Sequence, residues 1–204
     1  MTGYIRTSAR LIMRVLVGGF IVAASPSWAQ ETDAAVSTIR RFYSALEAAM
    51  RSGLDVEARY QQLKPIMMQT FNFQAMIKGA LGSRWTSISQ SDRNRLEEAY
   101  SNFMVATYAN KLDSYAGEKF NVESPSIAGG RNRTVHTKIV DSRGVSRVIN
   151  FSVGSDMKVS DTYFDGTISD KASRHSEFTG IVDRSGAEEL IRSLEARVAK
   201  LLRR

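Results

Sequence analysis

The chain has 204 residues, 43% of them apolar, with 28 basic and 21 acidic side chains for a net charge of +7. That length allows one domain, or two small ones, with a sizeable core. The absence of cysteine excludes a disulfide framework, thiolate metal ligation, a cysteine nucleophile and a lipidated cysteine after a leader. The basic excess does not form the aromatic-interleaved stripe of a nucleic-acid surface, so no nucleic-acid partner is expected. A cationic surface also suits anionic lipid headgroups, and the plainer reading is a solvated face.

The N-terminus carries Arg6, Arg10 and Arg14, then the apolar run Val15 to Ala24, then "SPSWAQ" with small side chains at Ser27 and Ala29. This reads as a secretory signal peptide, residues 1–29, cleaved before Gln30, with residues 30–204 as one exported domain. The competing reading is an uncleaved anchor, but the stretch from Leu11 to Ala24 includes Arg14 and falls short of the roughly 20 apolar residues a span requires.

From Thr32, the residues Val36, Ile39, Phe42, Tyr43, Leu46 and Met50 recur at helical spacing until Gly53. Asp55 is a good N-cap for a second helix holding Val56, Tyr60 and Leu63, which Pro65 either kinks or restarts. A third, short helix is expected between Asn72 as cap and Gly82 as terminator. "SQSD", Ser89 to Asp92, resembles a capping box and opens the longest helix, whose face of Leu96, Tyr100, Phe103, Met104, Thr107, Tyr108, Leu112 and Tyr115 runs to Gly117.

Beyond Gly117 the period turns to alternation. "KFNVESPSI" reads as one strand, "RTVHTKIV" as a second, "VSRVINFSV" as a third and "MKVSDTYF" as a fourth, with turns at "DSRG" and "GSD". Two closing helices follow, from about Ser169 to Val182 and from Ser185. The fold class expected is α+β: helices packed on the concave face of a curved antiparallel sheet of about four or five strands, enclosing an apolar cavity.

The sequence offers little chemistry. Its two histidines, His136 and His175, lack a third zinc ligand at a recognisable spacing, and no metal or other cofactor is implied. His175, Ser176 and Glu177 are adjacent on a helix and point in different directions, so they cannot form a relay. Asp161 and Asp165 could act as an acid–base pair at a cavity mouth, or simply as turn and cap formers beside Gly166. Gly129 and Gly130 lack the strand-to-helix context of a phosphate loop. More distinctive is an apolar surplus, Ile66, Met67, Met68, Phe71, Phe73, Met76 and Ile77. It fits either an adaptable greasy pocket or ordinary core packing.

The order of motifs from Phe71 to Val122 resembles the MlaC family of periplasmic lipid carriers, also called toluene-tolerance auxiliary proteins. The resemblance rests on Phe73, Met76, Ala80, Leu81, Gly82 and Trp85, then Phe103, Met104, Thr107, Tyr108 and Ala109, then Tyr115, Gly117 and Glu118. The C-terminal "SDMKVSDTYFDGTISDKASRHSEF" departs from commoner members, with Met157 for a tryptophan and His175 for an arginine. It is similar to the hopanoid-biosynthesis-associated HpnM branch.

The resemblance implies a periplasmic carrier that performs no catalysis and shuttles a phospholipid or hopanoid between inner and outer membranes. Its implied partners are an inner-membrane ABC lipid transporter and an outer-membrane lipid donor or acceptor. Exposing about thirty lipid methylenes to water costs on the order of 20 kcal/mol, so unaided transfer is negligible and a carrier must supply a substitute solvent. On this reading Met67, Met68, Phe71, Met76 and Ile77 line one wall of the cavity, and Phe103, Tyr108, Val148 and Phe151 contribute from the long helix and the sheet. The competing functions are an enzyme of a cone-shaped α+β fold acting on a hydrophobic polycyclic substrate, and an exported interaction module without a ligand.

Overall fold

The computed structural model describes residues 27–112, 115–123, 126–127 and 132–203. The signal-peptide reading lies largely outside these residues, as do Gly129 and Gly130. Helix α1, Ser27–Arg51, begins before the expected start at Thr32 and packs its apolar stripe into the core from Ala35 onward. Helix α2, Val56–Thr70, is capped by Asp55, whose carboxylate accepts from Ala58 N over 2.8 Å. Pro65 lies inside it without dividing it. Helix α3, Phe73–Leu81, is capped by Asn72. It stops at Gly82, whose φ of +56 is the conformation a side chain would resist, although its ψ of −130 is not the left-handed helical value.

A 3-10 turn, Gly82–Ser87, leads to α4, Gln90–Lys111, capped by Ser89 as the local motif predicts. The expected continuation of α4 to Gly117 is wrong. Leu112 has left the helix, and Tyr115 instead lies under the Arg51 guanidinium, 3.7 Å from its ring centroid, and donates to Glu118 O. The Tyr115 ring and hydroxyl thus find their partners in the connection instead of in another helical turn.

The sheet is open, curved and antiparallel, with order β1-β3-β4-β5-β6. The expected single strand Lys119 to Ile127 is two pieces, β1, Lys119–Val122, and β2, Ser126–Ile127, both paired with β3, Arg133–Val140. β4, Ser146–Val153, and β5, Val159–Phe164, complete the meander, and the two-residue β6, Ile168–Ser169, is an addition to it. A bulge between Ser152 and Val153 shifts the register against β5.

Helix α5, Asp170–Leu202, is broken at Gly186 (φ 79, ψ 175), which makes it the two closing helices expected from the sequence. Helix α1 crosses the sheet directly. Tyr43 shares a 2.5 Å hydrogen bond with Thr137 on β3, and its ring lies 5.0 Å from Phe120 on β1. Where α2 passes into α3, Phe71 forms a parallel bridge with Val159 and Asn72 N donates to Val159 O, which fixes the junction alongside the start of β5. Among the described residues no helix is long and apolar enough to cross a membrane.

Candidate functional site

A cavity of about 730 Å³ opens between α1, the C-terminal half of α4 and the sheet. Helix α1 supplies Phe42, Tyr43, Leu46 and Met50, spaced to fall on one helical face. Helix α4 supplies Met104, Thr107, Tyr108 and Lys111, and the sheet supplies Phe120, Ile139, Ile149 and Phe151. Alternation explains the sheet's share: Ile149 and Phe151 are two apart on β4 and point to the same face, toward the helices. The rim includes Val145, Val148 and Phe164, which are 48%, 36% and 38% exposed, together with the charged Glu118, Asp141, Arg147 and Asp165.

The wall is a connected set of rings. Phe42 meets Tyr108 at 5.6 Å and Phe151 at 6.2 Å between centroids, both edge to face, and Tyr43 meets Phe151 at 5.8 Å. Such contacts hold a wall in one shape at little cost in entropy. Burial pushes the phenols of Tyr43 and Tyr108 well above their usual pKa, and for Tyr43 the hydrogen bond to Thr137 only partly opposes that. The lining is therefore neutral along its aromatic side.

Of the nine side chains expected to line the cavity, Tyr108, Val148 and Phe151 do so. Met67, Phe71, Met76 and Ile77 instead lie in the core, each at most 1% exposed, and Phe103 is buried off the cavity wall. Met68 faces outward, 41% exposed. Phe71 packs behind Phe42, edge to face at 5.0 Å, and its bridge to Val159 holds the α2–α3 junction beside β5, so this stretch stands behind the cavity wall and not in it. The residues missed were Phe42, Tyr43, Leu46 and Met50. Their periodicity marked a buried stripe, without saying whether protein or a cavity lay opposite.

The acid–base candidates separate. Asp161 does not line the cavity: it accepts from Thr162 N, Ser169 Oγ and Lys171 N, and so ties β5 to the start of α5. Asp165 is at the rim, in the β5–β6 turn with φ +49. His175 donates from Nδ1 to Ala80 O over 2.8 Å, while Glu177 pairs with Arg197 rather than with the histidine. His136 shares a 2.7 Å hydrogen bond with Ser126. Among the described residues no group of three His, Asp or Glu side chains converges as a metal site. Thr107, among the described residues the one small hydroxyl side chain on the cavity wall, already donates to Phe103 O. The arrangement offers volume and apolar surface, with one buried pair of charges, Asp170 and Arg174, set into it.

A helical roof over one face of an antiparallel sheet, with an open cavity between the layers, is an α+β architecture. The chain belongs to the MlaC family, whose model, described as MlaC protein, matches residues 37–196. Seven solved chains match it. One is the phospholipid-binding protein from Ralstonia solanacearum, solved in complex with a phospholipid. It is 17% identical, with a TM-score of 0.70 over 82% of this chain and 98% of that one. At that identity the likeness is one of fold. No curated protein matches this chain by sequence.

Proposed function

We propose that this protein is a carrier that holds the hydrocarbon of a membrane lipid in the cavity between α1, α4 and the sheet and moves it through water. The observation that carries this reading is the 730 Å³ cavity itself, with its aromatic and aliphatic walls and a solvent-exposed rim on which Val145, Val148 and Phe164 stand among charged side chains. A protein that only needs a core gains more by packing side chains against one another than by keeping an apolar-walled cavity of this size between its layers, since each forgone contact costs dispersion energy. Membership of the MlaC family and the phospholipid bound by the Ralstonia solanacearum protein support a phospholipid as cargo.

In the same reading the chain is exported by residues 1–29 and works in the periplasm. Its partners are an inner-membrane ABC-type lipid transporter and an outer-membrane donor or acceptor. The "YFDGTIS" segment supports a hopanoid as the alternative cargo. The test is transfer of a fluorescent phospholipid between two vesicle populations. The carrier reading expects a rate rising in proportion to protein concentration, and a rate equal to that without protein would overturn it.

A further inference from the structure

Among the described residues two tyrosines line the cavity, Tyr43 and Tyr108, and the protein occupies the hydroxyl of only one. Tyr43 OH shares a hydrogen bond with Thr137 Oγ1, and the hydroxyls of the buried Tyr60 and Tyr100 donate to Asn102 Oδ1 and Asp170 Oδ2. Tyr108 OH makes no hydrogen bond among the described residues. Nor is it sealed in. The enclosed side-chain atoms that lack a partner are Asn150 Oδ1 and Thr162 Oγ1, so the Tyr108 oxygen is open to the space that its side chain lines.

The ring is held in place, 5.6 Å from Phe42 and 6.3 Å from Phe71 between centroids. A phenylalanine would make the same ring contacts, so packing does not call for the hydroxyl, and tyrosine hydroxyls away from water ordinarily find a partner. The surrounding apolar wall raises its pKa, so it keeps its proton and serves as a neutral donor. The acceptor it suits is neutral as well. An anion set against Phe42 and Phe71 would lose its hydration, and the charges further in, Asp170 and Arg174, already pair with each other.

The place of Tyr108 on α4 selects among neutral oxygens. Met104, 3% exposed, then Tyr108, then the exposed Lys111 follow one another at one-turn spacing on the cavity face of α4. Lys111 makes no ion pair among the described residues, although Glu118, Asp141 and Asp165 share the rim with it. Inward from the mouth the helix thus offers an ammonium, then a neutral donor about 4.5 Å along its axis, then an apolar side chain. A glycerophospholipid has its groups in that order: phosphate, acyl ester carbonyls on the neighbouring glycerol carbons, then hydrocarbon. The ring system of a hopanoid has no ester carbonyl to match. We propose that Tyr108 is a specificity-determining residue whose hydroxyl donates to an acyl ester carbonyl of a glycerophospholipid, with the phosphate toward Lys111. This rests on the lipid-holding reading of the cavity and selects the phospholipid over the hopanoid as cargo.

The test is competitive loading of the delipidated protein with equimolar dipalmitoyl phosphatidylglycerol and its dihexadecyl ether analogue, followed by extraction and quantitation of what is retained. The analogue keeps the headgroup and the chain length and lacks both carbonyls. Wild type is compared with Tyr108→Phe, and the comparison between the two proteins cancels the lipids' own solubilities. The subsite predicts a diester-to-diether ratio about fivefold lower in the variant, the size of one neutral hydrogen bond. Because the hydroxyl has no protein partner, delipidated Tyr108→Phe should unfold at the wild-type urea midpoint or above it. An unchanged ratio means that water serves the hydroxyl and overturns the subsite while leaving the carrier reading intact. A variant that unfolds at lower urea also overturns it, since the hydroxyl would then be holding protein. Retention of neither lipid by wild type overturns both.

Discussion

Phe42 and Phe71 meet edge to face, with ring centroids 5.0 Å apart and planes at 83°. Phe42 lines the cavity, while Phe71 stands behind it, stacked in turn on Phe73 at 5.6 Å. The apolar stretch that begins at Ile66 is thus the buttress of the cavity wall, and the wall's surface comes from α1. This one-residue depth separates side chains that set the cavity's shape from those that a ligand touches.

The same separation predicts opposite outcomes for two neighbouring methionines. Met76 has no exposed surface, and Met76→Glu places an unpaired carboxylate in the core, which should cost several kcal/mol and unfold much of the population. Met68 is 41% exposed, and Met68→Glu should change stability by no more than about 0.5 kcal/mol. Urea unfolding of the two variants measures both. Equal destabilisation would contradict the placement of Met68.

Filling the cavity separates ligand binding from folding. Leu46 and Ile149 line the cavity from opposite layers, so Leu46→Trp or Ile149→Trp can grow into it instead of overpacking a solid core, which typically costs about 1–3 kcal/mol. Lipid retained after extraction should fall at least about tenfold, with the far-ultraviolet circular dichroism unchanged.

Much of the fold was legible because its boundaries are set locally. Asp55, Asn72 and Ser89 each cap the helix expected to follow, and the alternation from Arg133 to Val140 is the strand observed. The end of α4 was not, because Leu112 and Tyr115 keep a helical period while the chain leaves the helix for contacts with Arg51 and Glu118. The cavity was less legible still. A period identifies a buried face, and Met67 and Leu46 have the same period and the same burial; only the tertiary arrangement puts protein opposite the first and a cavity opposite the second.

Three buried phenols predict alkaline instability. Burial raises the pKa of Tyr43, Tyr100 and Tyr108 in the folded chain above the ordinary value near 10. The unfolded chain therefore releases these protons first. Their contribution to stability is complete below that value and is lost as the pH climbs past it toward the folded-state values. Absorbance titration of phenolate should show these three ionising only together with loss of near-ultraviolet circular dichroism. Their ionisation in a chain that remains folded would contradict the burial of the wall.

Export predicts a mature N-terminus at Gln30. Cleavage there removes only the first three residues of α1 and leaves Ala35 and the core residues that follow it. Edman sequencing of protein recovered from the periplasmic fraction should begin at Gln30. A chain retaining Met1 in the membrane fraction would support the anchor instead.

Whether the cavity between α1, α4 and the sheet holds lipid hydrocarbon is read out by native mass spectrometry of the mature protein purified from its own cells without detergent. Wild type should give a protein ion carrying one lipid, released on activation and identifiable by its mass, and absent from Leu46→Trp. A wild-type spectrum consisting only of the bare chain, or a lipid adduct of equal abundance in Leu46→Trp, would contradict it.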